Sequence, residues 1–115
     1  MPRTFDEKEL LDRIDNDWEF LGDATRMLAA DAPLLLADIR RAVQSGDATL
    51  VGSAGHTLKG MISNFCAPDA QASAMAVEQI GKGGDLSNAA PTLHELETHL
   101  NALIVELMEY VAIRA

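Results

Sequence analysis

Residues 49–66 read TLVGSAGHTLKGMISNFC, and the spacing of their apolar members decides the fold. Val51, Ala54, Leu58, Met61, Ile62 and Phe65 recur three and four positions apart, the interval that gathers side chains into one arc of an α-helix. His56 falls on the opposite side of that helix. At about 100° per residue, the positions sharing its face are Gly52, Lys59, Gly60 and Ser63, three of which carry little or no side chain. A helix interior disfavours glycine by about 1 kcal/mol relative to alanine, yet this one holds Gly52, Gly55 and Gly60. A bare surface around one imidazole offsets that cost if another protein must approach the ring closely. Lys59, one turn on, places a cation beside any anionic group attached to the ring.

Outward from this segment the pattern stays helical. Thr4 with Glu7 fits a capping box, which predicts a short helix from Phe5 to Ile14. Asn16 or Asp17 caps a second stretch, with Trp18 as a packing anchor near its start and Leu21, Ala24, Thr25 and Leu28 following at helical spacing. At Asp31-Ala32-Pro33 the missing proline donor predicts a kink or a restart. Leu35, Ile39, Ala42 and Val43 extend the stripe to Ser45-Gly46-Asp47, where glycine suits a left-handed helix stop. On the other side, Pro68 suits the first turn of a helix reaching about Ile80, and Gly81 to Asp85 reads as a loop. Ser87 or Asn88 caps the last helix, in which Leu93, Leu96, Leu100, Leu103, Leu107 and Tyr110 step alternately by three and four. That narrow seam suits nearly antiparallel helices. The expected architecture is all-α: one domain over residues 1–115, built as an antiparallel four-helix bundle with a short additional N-terminal helix.

Composition bounds the function. A chain of 115 residues supports a single core but is too short for a separate ATP-binding catalytic unit beside it. The formal charge of −9, with the nine basic residues scattered, argues against nucleic acid as a partner. The longest apolar runs, such as Leu34 to Ala37, are far too short to span a bilayer, and residues 1–7 lack an apolar signal core. A cytoplasmic location without membrane contact is the expectation. The single cysteine, Cys66, reads as a buried small hydrophobe, and no Cys/His set has zinc spacing. His94 and His99 flank a segment that superficially resembles a zinc-protease helix, but five steps rotate one ring by roughly 140° from the other. Both are read as surface residues, and no metal site is expected.

An exposed imidazole is a competent nucleophile near neutral pH, and phosphoryl transfer demands chiefly alignment and charge stabilisation. The run from Ala54 to Gly60, continuing through Ser63, Asn64 and Ala67, resembles the histidine-containing phosphotransfer (HPt) family of phosphorelays. Leu58, Lys59 and Gly60 follow His56 as that family's motif requires. The resemblance implies that His56 is the phosphorylated residue, that Lys59 contacts the phosphoryl oxygens, and that Gly60 leaves room for the partner. Gly52, Gly55, Ser63 and Asn64 complete the expected docking surface. The chain departs from the family at two places: Gly55 stands where alanine is common, and Cys66 where glycine is common.

The resemblance further implies a monomeric phosphocarrier. His56 would accept a phosphoryl group from an aspartyl phosphate on one response-regulator receiver domain and pass it to another, with a hybrid sensor histidine kinase upstream. The chain would need no cofactor of its own, since Mg²⁺ would sit on the partner receiver domain, and no autonomous kinase activity is expected. Two alternatives remain: a non-phosphorylated helical adaptor using the same face, and the phosphorylated domain of a chemotaxis-type kinase.

Overall fold

The computed structural model describes residues 3–114, and among these the regular elements are all helical. Helix α1 spans Glu7–Ile14, α2 Trp18–Ser45, α3 Ala48–Ile62, α4 Pro68–Gly83 and α5 Ala89–Arg114, with a 3-10 turn at Ser63–Phe65 after α3. Helix α2 packs on α3 and α5, and α4 packs on the same two, so α2 to α5 close a four-membered ring around one core. Short connections force neighbours to run antiparallel. At 1.5 Å per residue, the 28 residues of α2 reach about 42 Å, which accounts for the 43 Å long axis of the molecule.

The periodicities place the core. Val51, Leu58 and Ile62 are buried on α3 and Phe65 on the 3-10 turn after it, and Leu93, Leu96, Leu100, Leu103, Leu107 and Tyr110 are all buried on α5. Asp17 caps α2 by accepting from the Phe20 amide, and Gly46 ends it in the left-handed conformation.

Four local expectations are corrected. Pro33 does not restart the helix, since α2 runs unbroken through it: Leu28, Ala32, Leu36 and Ile39 form one buried face running past it, while Pro33 itself faces solvent. Thr4 does not cap α1. Asp6 does so, accepting from the Glu9 amide, whereas the amide and hydroxyl of Thr4 both donate to Glu106 Oε1, at 2.7 and 2.8 Å. The glycine-rich loop begins later than expected, since α4 continues through Gly83 before Gly84 stops it. Cys66 is half-buried and adopts a φ of 56°, the left-handed conformation for which glycine is the easy choice. The cysteine therefore keeps that turn at some backbone cost.

The N-terminal segment is fastened at both ends. Phe5 meets the Tyr110 ring edge-on with centroids 5.2 Å apart, Trp18 lies against the same ring, and the Tyr110 hydroxyl donates to Glu7. The Asp6 amide donates to the Cys66 carbonyl, and Arg13 donates to the Ser63 carbonyl. These bonds tie α1 to the end of the helix that carries His56.

Candidate functional site

The α3–α4 contact is built on glycine. A methyl group added at Gly81 would lie 2.1 Å from the Gly52 backbone nitrogen, and one added at Gly55 would lie 2.9 Å from the Glu78 nitrogen. The two helices therefore approach backbone to backbone. Gly52 and Gly55 are buried, which corrects their assignment to a docking surface. The space they clear is occupied by α4, because α3 carries a second packed face beside its apolar arc.

This close approach sets Glu78 of α4 directly beneath His56. The Glu78 side chain is only 2% exposed and the His56 side chain 67% exposed, with Nδ1 2.7 Å from Glu78 Oε2. Lys59 Nζ lies 2.6 Å from Oε1 and Lys82 Nζ 3.2 Å from Oε2. A buried carboxylate needs such partners, since leaving it unpaired carries an uncompensated desolvation cost. The Lys59 ammonium, together with His56 and Lys82, outweighs the effect of burial and holds the Glu78 carboxyl down to about 2. Glu78 is consequently ionised and can only accept hydrogen bonds.

That fixes the imidazole. Nδ1 must carry the proton it shares with Glu78, so in the neutral ring the lone pair resides on Nε2, which faces away from the buried carboxylate. His56 thus presents an oriented, solvent-facing nucleophile whose other nitrogen is held from below. It lines an open depression together with Gly52, Ser53, Gly81 and Lys82.

The remaining expected residues divide. Gly60 is exposed and a methyl group added there would meet nothing within 4 Å, so the surface beside the ring is open at that point. Ser63 and Asn64 are exposed but their side chains are engaged locally, Ser63 Oγ donating to the Gly60 carbonyl and Asn64 Nδ2 to the Met61 carbonyl. Lys59 does reach the site, but as a partner of Glu78 with a side chain only 24% exposed. His99 is half-buried and its Nδ1 lies 2.6 Å from Ser73 Oγ, so it is less a surface residue than its spacing implies.

Two residues of the site escaped the sequence reading: Glu78 and Lys82. The signal for Glu78 was present. Ala70, Ala74, Val77 and Gly81 form the buried stripe of α4, and Glu78 falls within it, an acid where a core residue belongs.

The family model described as Hpt domain matches residues 23–106, a span that contains the whole His56–Glu78–Lys82 cluster. Among solved structures, the fold is similar to that of histidine-containing phosphotransfer protein B (HptB) from Pseudomonas aeruginosa PAO1, with a TM-score of 0.88, 18% identity and 97% of each chain covered. It is also similar to the HPT domain of a sensor hybrid histidine kinase from Shewanella, with a TM-score of 0.78, 18% identity, and 95% of this chain and 94% of that one covered. No curated protein matches.

Proposed function

The chain belongs to the Hpt domain family, a family of histidine phosphotransfer carriers, and from that premise we propose that His56 is the residue that carries the phosphoryl group. The observation that supports this most is the pairing of an exposed ring with a buried, ionised carboxylate on Nδ1, which directs the Nε2 lone pair outward.

The step follows from that geometry. Nε2 attacks the phosphorus of an aspartyl phosphate on a receiver domain. The bond from phosphorus to the aspartate oxygen breaks, and its electron pair leaves with the carboxylate. The ring keeps its Nδ1 proton and becomes cationic, and the Glu78 carboxylate compensates that charge without any proton having to move. Glu78 is therefore a positioning residue that also stabilises the charged ring. Return of the group to a second receiver reverses the same changes. Mg²⁺ would be supplied by the receiver, where the leaving and entering carboxylates reside. The open surface at Gly60 offers clearance for the receiver's approach.

The deciding experiment incubates the protein with phosphorylated receivers and follows the label. His56→Gln removes the nucleophile at an exposed position and is expected to abolish label acceptance without unfolding the protein. The label should be acid-labile and alkali-stable, as a phosphoramidate is. Acceptance of such a label by His56→Gln would move the site to His94 or His99, and a wild type that binds receivers but never takes label would make the protein an adaptor.

A further inference from the structure

The two lysines at Glu78 are not equivalent. Lys59 Nζ sits 2.6 Å from Oε1 with its side chain 24% exposed, whereas Lys82 Nζ sits 3.2 Å from Oε2 with its side chain 69% exposed. Oε2 is also the atom that receives His56 Nδ1, so Lys82 shares its partner with the ring and Lys59 does not. Drawing Lys59 toward a phosphate would strip a buried carboxylate of its short-range counter-ion, which is costly. Releasing Lys82, whose contact is longer and whose own side chain is exposed, costs less, since Lys59 and His56 remain on the carboxylate.

Resting on the phosphocarrier reading, we propose that Lys82 of α4 is the cation that meets the phosphoryl group on His56, while Lys59 is the fixed counter-ion of Glu78 and acts as a positioning residue. The exchange is built into the shared oxygen. Once Nε2 is bonded to phosphorus, the ring is cationic and its Nδ1–H becomes a stronger donor to Oε2. Lys82 loses its share of that oxygen at the moment a dianionic group arrives beside it. Lys82 lines the same open depression as His56, so its flexible stem can reach the phosphoryl oxygens without disturbing the packed helices. The expected role of Lys59 thus passes to a lysine on the neighbouring helix.

The test loads His56 with phosphoramidate, a small donor that removes receiver docking from the measurement. Wild type, Lys82→Gln, Lys82→Arg and Lys59→Gln are compared by loading rate and by 31P NMR titration of the phosphohistidine through neutral pH. A nearby cation lowers the second ionisation of the phosphoryl group, so Lys82→Gln should raise its midpoint by roughly half a unit and slow loading on the order of tenfold. Lys82→Arg should restore both. Lys59→Gln should lower the melting temperature and leave the midpoint near that of wild type. If Lys59→Gln does not fold, the Lys82 pair alone decides. A normal midpoint and loading rate in Lys82→Gln, or a larger midpoint change in Lys59→Gln, overturns the assignment while the phosphocarrier reading stands. A wild type that never loads at His56 overturns both.

Discussion

Gly55 lies against the backbone of Glu78 so closely that a methyl group there would sit 2.9 Å from its nitrogen and 3.1 Å from its Cα. Backbone cannot yield as a flexible side chain can, so Gly55→Ala must push α3 and α4 apart. Overpacking of this kind costs about 1–3 kcal/mol, against which the helix-propensity gain of alanine is about 1 kcal/mol. Urea denaturation should therefore find Gly55→Ala destabilised, Gly81→Ala more so because its methyl would lie 2.1 Å from the Gly52 nitrogen, and Gly52→Ala nearly neutral because its nearest contacts are at 3.4 Å. An unchanged midpoint in Gly81→Ala would contradict the close packing of these helices.

Pro33 occupies the middle of α2 on its exposed side. Pro33→Ala restores a backbone donor toward the Ala29 carbonyl and adds a good helix former. Stability should rise by about 1 kcal/mol or more, read as a higher urea midpoint with phosphoryl transfer unchanged. A loss of stability would mean that the proline relieves a bend the bundle requires.

Gly60 behaves oppositely to its fellow glycines because a side chain there has open space. Gly60→Gln should leave the bundle folded and slightly stabilised by helix propensity, while transfer to and from receivers slows through lost approach. Loading by a small donor should stay normal, which separates obstruction of a partner from damage to His56. Normal transfer between the folded variant and its receiver would remove Gly60 from the docking surface.

The contrast between Gly60 and Gly55 marks the limit of what periodicity could tell. The arc of Val51, Leu58, Ile62 and Phe65 and the seam from Leu93 to Tyr110 were legible because a repeating interval alone determines which residues share a face. His56 was legible because its motif is local. Which helix covers the other face of α3 is not encoded in α3, so Gly52 and Gly55 read as open surface until α4 is placed against them. Glu78 was hidden for a related reason: it stands 22 positions from His56, and an acid on a helix is by default solvated. Thr4 likewise had a sound local partner in Glu7 but is bound by Glu106, 102 positions away.

Glu78 makes a prediction in which pH is the probe. Its carboxyl is held down to about 2 against an ordinary value of 4.5, by Lys59 foremost and then by His56 and Lys82. A carboxyl whose folded value is depressed stabilises the fold fully above the unfolded value and loses that contribution as pH falls through the folded one. Glu78→Gln lacks the titrating group but retains its size. The stability difference between wild type and Glu78→Gln, measured by urea denaturation at successive pH values, should thus shrink as pH falls from about 4.5 toward about 2. Other carboxyls titrate in both proteins and cancel to first order. The same substitution exchanges an acceptor-only carboxylate for an amide that can donate as well as accept, so the ring loses both its charge compensation and its enforced Nδ1–H tautomer. Loading of His56 at neutral pH should slow by about a hundredfold, the lower end of what a positioned charge contributes, and should not vanish, because the nucleophile remains. A difference in stability that stays flat through the acidic range would show that Glu78 is not ionised beneath His56, and the orientation of the imidazole would need another cause.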